Sequence, residues 1–216
     1  DIGAALVDAD LMIVDDGAGG TNRKATMSRL ATYMGTKIGG GLEFISSSGA
    51  ISNAASVAFT GFDASKYDHY HFMFQHVIPA TDDVFFNAQT STNTGTSYSS
   101  TAGDYHTYGT QDADGLRVAG HDGYKVGSDS NEFGVSGLFM LYAPHNTSAY
   151  TYSNGALITY NTSDAGGYIH SMASNAGFSA GSARLAAEDV DAIKFKFSSG
   201  NIESGEIVMY GIANGT

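Results

Sequence analysis

The sequence predicts a mainly β protein: a jelly-roll-type β-sandwich preceded by a small N-terminal strand-turn-strand-helix element. Three observations carry that expectation. About eight or nine short runs of strand-like residues recur at turn-separated intervals. Glycine is abundant, at 28 residues, against two prolines. No helical apolar period lasts beyond two or three turns, so two packed sheets are the economical way to bury these strands. A chain of 216 residues is long enough for one large all-β domain with a short attached element.

The elements follow in order. Asp10–Asp16 reads as a short strand running into Gly17-Ala18-Gly19-Gly20, whose glycines suit a tight reversal. Thr21–Ala25 returns as a second strand. Thr26 is placed to cap a helix over Met27–Met34, with Met27, Leu30 and Met34 on one face and Gly35 as its stop. Residues 1–40 form a collar or attachment element too small for a core of its own, so it must pack on copies of itself or on a larger assembly. Residues 41–50, between glycine and serine runs, read as a hinge.

Residues 51–216 form the sandwich domain. Tyr67–Ile78 is its strongest strand, with Tyr70, Phe72, Phe74, His76 and Ile78 on one face and His69, His71, Met73 and Val77 on the other. Pro79–Asp83 turns the chain and Val84–Thr92 returns, which predicts an antiparallel pair. Residues 93–132 are irregular and rich in Thr, Ser, Gly and Asp. Phe133–Tyr142, Ala156–Asn161 and Tyr168–Ala173 read as strands, the last two as a hairpin. Ala192–Phe197 alternates Ile193, Phe195 and Phe197 against Lys194 and Lys196, and Gly205–Ile212 returns after a turn.

Composition excludes several classes of function. There is no cysteine, so disulfides, thiolate metal sites and cysteine nucleophiles are impossible. The net charge is −12, which repels phosphate backbones and anionic membrane surfaces, so neither a nucleic-acid partner nor membrane insertion is expected. No apolar run reaches the roughly 18 residues of a bilayer-spanning helix. The first residues, Asp1-Ile2-Gly3-Ala4, do not have the form of a secretory signal.

Residues 6–35, with Asp15-Asp16-Gly17, Arg23-Lys24 and the helix that follows, resemble the short strand, Asp-Gly turn, Arg-Lys strand and helix element of tail-fibre and related structural proteins of tailed bacteriophages. Tyr67–Asp82 and Ile193–Ile212 are similar to the jelly-roll-like domains that follow such elements. The resemblance covers about half the chain. It implies a homotrimeric fibre or spike component located in the virion, joined to other virion proteins through residues 1–40, with a host-facing β domain.

Several constellations carry residue types capable of chemistry. His69 and His71 lie two apart on one strand and could face a single metal, but two partly exposed or interface histidines is the better reading, and no metal or cofactor is expected. Asp112, Asp114, Asp122 and Asp129 offer oxygen ligands without completing a calcium-loop spacing. Asp82-Asp83 and Glu188-Asp189 are adjacent acidic pairs of the kind that is usually solvated, and no nucleophile motif or phosphate loop is present, so no enzyme is expected. The best functional candidate is the aromatic and polar loop region: Tyr98, Tyr105, His106, Tyr108, His121, Asp122 and Tyr124. It mixes flat apolar faces with hydrogen-bonding tips, which suits a host-surface glycan. Tyr150, Tyr152 and Asn154 form a second such cluster. The expected function is thus a tail-fibre-like subunit for host attachment. The alternatives are a capsid decoration or head-fibre protein, and a stand-alone carbohydrate-binding module.

Overall fold

A computed structural model of the chain describes residues 5–15, 22–37, 41–101, 103–107, 110–112, 115–120, 125–161, 168–171 and 182–213. The chain divides into two compact units, Asp1–Gly40 and Gly41–Asn214. In the first, β1 (Leu11–Asp15) pairs antiparallel with β2 (Asn22–Thr26), and α1 (Met27–Lys37) follows at once. The Thr26 hydroxyl accepts the Arg29 N–H at 3.4 Å, the N-cap arrangement expected of it, and Met27 N–H donates to the Asp10 carbonyl at 2.9 Å. The helix runs through Gly35 to Lys37 where the sequence suggested a stop at Met34. A glycine inside a helix costs only about 1 kcal/mol relative to alanine and ends it only where a left-handed residue is needed.

The second unit contains β3 (Leu42–Ser47), β4 (Ile51–Ala54), β5 (Val57–Phe59), β6 (Tyr67–Pro79) and β7 (Phe86–Ser91). Then come β8 (Tyr105–Thr107), β9 (Thr110–Asp112), β10 (Leu116–Ala119), β11 (Val135–Tyr142) and β12 (Thr151–Asn161). Last are β13 (Tyr168–Ser171), β14 (Ser182–Arg184), β15 (Ala192–Phe197) and β16 (Ile202–Ala213). Among the described residues they make a four-stranded sheet, β10-β7-β15-β5, and a ten-stranded sheet whose main path is β3-β16-β6-β11-β12-β14-β8-β9. Every pairing is antiparallel.

This is jelly-roll connectivity. β3 and β4 both lie against β16 and count as the first strand; β5, β6, β7, β10, β11, β15 and β16 are then strands two to eight. The large sheet reads 1-8-3-6 and the small one 2-7-4-5, the order produced by two Greek keys. The remaining strands extend the large sheet past β11. The core between the sheets is aromatic. Phe195 of the small sheet lies with ring centroids 5.0 Å from Phe72, 5.2 Å from Phe74 and 5.9 Å from Phe139 of the large sheet.

The structure corrects four details of the sequence reading. Residues 42–47, within the segment read as a hinge, form β3, paired with β16 from Leu42↔Ile212 to Ser47↔Val208. Serine and glycine flank that strand, but its Leu-Glu-Phe-Ile run is enough to add an edge. β6 and β7 are not a pair: the Pro79–Asp83 turn carries the chain from one sheet to the other, and so does the turn between β15 and β16. Finally, His76 and Ile78 do not share a face with Phe74. His76 has φ +46°, and the register of β6 shifts here against both β11 and β16. This bulge flips the alternation, so Val77 and Pro79 enter the core while His76 faces solvent. Gly134 (φ +61°) and Gly205 (φ +121°) line it; a Cβ on Gly205 would lie 2.5 Å from the His76 carbonyl oxygen, and one on Gly134 would meet the Val77 carbonyl.

Candidate functional site

The aromatic loop residues do not converge as one site among those described. Tyr105 on β8 is fully buried. Its hydroxyl accepts the Thr90 N–H at 2.8 Å and donates to the Ser99 carbonyl at 3.0 Å, so it anchors the loop from beneath and offers no face to a sugar. Burial pushes its phenol pKa up. His106, the next residue on the strand, is exposed. Tyr98 is half-buried, with the Lys194 ammonium 4.3 Å from its ring centroid. Tyr108, His121, Asp122 and Tyr124 lie outside the described residues, as does Asp114.

The acidic pairs are anchors. Asp82 accepts the Ser128 N–H at 2.9 Å and Asp83 accepts from the Asn161 amide at 2.8 Å. Asp129 stands beside Asp82, Glu132 and Asp83, and this negative field holds its carboxyl above the usual range. Among the described residues no group of three or more His, Asp or Glu has metal-site geometry.

Glu188 accepts from the buried Arg184 guanidinium at 3.1 Å, and Asp189 lies 2.7 Å from His145 Nδ1. His145 Nε2 is in turn 3.0 Å from the Tyr70 hydroxyl, which accepts the Asp63 N–H at 2.6 Å. The tautomer that satisfies all four groups has Tyr70 donating to Nε2 and Nδ1–H donating to Asp189. A carboxylate, imidazole and hydroxyl in line resemble a nucleophile relay. Here, however, the hydroxyl is a fully buried phenol whose pKa is pushed up to about 12, chiefly by desolvation. The relay pins the loops beside a cleft of about 260 Å³ lined by Tyr67, Asp68, His69 and Asn146.

The more informative surface is the outer face of the large sheet. The register sets three rows across β3, β16, β6, β11 and β12. The first is Leu42, Ile212, His69, Tyr142 and Tyr152; the second is Phe44, Tyr210, His71, Met140 and Asn154; the third runs from Ser47 through Val208, Met73 and Leu138 to Ala156. Phe44 is 63% exposed, Tyr152 53% and Met73 41%, and Ile158 continues the patch along β12. These rows carry no Asp, Glu, Lys or Arg, although the chain carries 32 such residues; Glu206 lies at the margin and accepts a hydrogen bond from Ser47. Five strands at ~4.8 Å spacing and about seven residues at ~3.3 Å give a footprint on the order of 500 Å². That is the scale at which specific interfaces begin, roughly 1,000 Å² over both partners.

His69 and His71 belong to this face. His69 Nδ1 accepts the Ala143 N–H at 3.0 Å. Nδ1 of His71 is buried without a partner, and desolvation together with the neighbouring His69 holds its pKa below the ordinary value of 6.5. Tyr152 and Asn154, the second sugar-binding candidate of the sequence, also lie here, while Thr151, Ser153, Thr159 and Asn161 of the same strand are buried. β12 therefore turns its hydroxyls inward and its aromatic residues outward. No family model, curated protein or solved structure matches the chain.

Proposed function

We propose that the chain is a subunit of a homotrimeric attachment assembly, a tail-fibre-like component of a phage virion. Residues 1–40 hold the copies to one another and to neighbouring virion proteins, and the jelly-roll domain is presented to host-surface glycans. One observation carries this reading. No described side chain of the first unit is buried, while Leu6, Leu11, Ile13, Tyr33 and Met34 are exposed, Ile13 to 70%. A lone hairpin and an 11-residue helix are marginal in water without an apolar face to bury. Copies of the same element supply that missing burial.

The outer face of the large sheet supports the same reading. In a chain of net charge −12, copies repel wherever acidic surfaces approach. An uncharged aromatic and aliphatic face is where a second copy can dock with least electrostatic cost. Attachment then works by avidity: weak single contacts of the exposed loops are multiplied by holding several copies rigidly together.

A full-length variant with Ile13→Glu and Met34→Glu is expected to fall to the mass of one chain in light scattering while its thermal unfolding transition remains. An assembly that survives both substitutions overturns residues 1–40 as the holding element.

A further inference from the structure

The outer face of the small sheet has a character opposite to that of the large one. Four of the ten Lys and Arg in the chain gather here: Arg117 on β10, Lys194 and Lys196 on β15, and Lys125. The register places Asn87 of β7 directly between Arg117 and Lys196, and Gln89 beside Lys194. Phe85, just before β7, has the Arg117 guanidinium 3.9 Å and the Lys125 ammonium 5.7 Å from its ring centroid. Tyr98 closes the other end against Lys194.

Two independent features suit this face to a ligand. No ion pair to Lys125, Lys194 or Lys196 is found among the described residues, and β15 places its two lysines only about 7 Å apart along the strand. Partial desolvation, and after it the charge of Lys196, lower the Lys194 pKa. Asn87 is the second feature. It has no solvent exposure, yet neither its amide nitrogen nor its amide oxygen has a hydrogen-bond partner. An unsatisfied buried amide is costly, and both of its cross-strand neighbours have long, movable side chains. Asp191, near the Tyr98 end, already accepts the Thr94 N–H at 2.9 Å.

We propose that this face binds acidic saccharides, with Lys194, Lys196 and Lys125 neutralising carboxylate or sulfate groups and Asn87 pairing with a ligand oxygen once the Lys196 side chain swings aside. The choice of a saccharide rests on the attachment reading above. The anion preference rests on this face alone. Nucleic acid is disfavoured because the acidic remainder of the chain repels a long phosphate backbone that extends past the patch.

The test uses the full chain with four immobilised probes: polygalacturonate, dextran sulfate, neutral dextran and a single-stranded DNA oligonucleotide. The two acidic polysaccharides are expected to bind, more weakly as salt rises, and neutral dextran is not. Lys194→Gln with Lys196→Gln should weaken binding by roughly tenfold or more, and Lys66→Gln, which alters an exposed lysine elsewhere, should leave it unchanged. Should the double variant fail to fold, acylation of the parent protein gives the same answer: bound polysaccharide should protect Lys194 and Lys196 but not Lys66. The site is overturned by no binding at low salt, by a folded double variant that binds like the parent, or by equal acylation of all three lysines. DNA bound as tightly as the polysaccharides overturns the saccharide assignment. A monomer that binds polygalacturonate refutes only the assembly reading, and a trimer that ignores every polyanion refutes only this site.

Discussion

Phe195→Ala should remove the ring that makes the most aromatic contacts between the two sheets. The ring is fully buried and meets Phe59 and Phe86 of its own sheet region and Phe72, Phe74 and Phe139 across the sandwich, all with centroids 5.0 to 6.2 Å away. A buried Phe side chain removes about 200 Å² from water, which at ~25 cal/mol/Å² is about 5 kcal/mol before the unfolded chain's own compactness is allowed for. Alanine retains only a small part of that, and five rigid aromatic neighbours cannot collapse into the space. The expected loss is about 3–5 kcal/mol. This is a large share of the ~5–15 kcal/mol that holds a domain folded. Urea unfolding followed by tyrosine fluorescence should show a lower midpoint with an unchanged slope. A loss below about 1 kcal/mol would mean that the two sheets do not meet at this ring, and the sandwich packing would be wrong.

Other consequences can be checked in the same way. Gly205→Ala forces a Cβ to 2.5 Å from the His76 carbonyl oxygen at a positive φ and should cost about 2–4 kcal/mol, whereas Gly41→Ala, with open space around it, should be close to neutral in thermal unfolding. Arg184→Met leaves the Asp104 carbonyl and carboxylate and Glu188 without their cation and should cost about 3 kcal/mol in the same assay. His71 has a folded-state pKa below 6.5, so the unfolded chain binds the proton more readily; stability is fully present above pH 6.5 and declines as pH falls toward the folded value. Unfolding midpoints measured between about pH 5 and 7 should show that decline, and His71→Gln should flatten it. A His71→Gln profile identical to the parent's would exclude this group as the cause.

Much of the fold was legible because strand periodicity survives in short windows. The aromatic run Tyr70, Phe72, Phe74 could only face a core, and Phe195 and Phe197 likewise. The partner of each strand was not legible. In a jelly roll consecutive strands cross between sheets, so the turn after Pro79, which reads like a hairpin, joins strands that never pair and meet only through side chains across the core, as Phe74 does with Phe86. The bulge at His76 was hidden because its signal lies in distant glycines, Gly134 and Gly205, whose missing side chains make room for it. β12 misleads for a different reason: Tyr152, Ile158 and Tyr160 face outward and only Leu157 of its large apolar residues faces the core, so ordinary inside-out logic assigns the wrong face. The sequence signalled a sugar site through tyrosine content, but tyrosine serves buried anchors as readily as binding faces, and Tyr105 is the former. The basic face of the small sheet could have been suspected from Lys194 and Lys196 alternating with core residues. Gathering Arg117 and Lys125 beside them required the tertiary register.

We propose that this chain works as an assembled subunit. Light scattering on a sizing column, at micromolar concentration and neutral pH, tests it directly. A stable species of three times the chain's 22.5 kDa is predicted. A folded species of 22.5 kDa that does not associate on concentration would contradict the account.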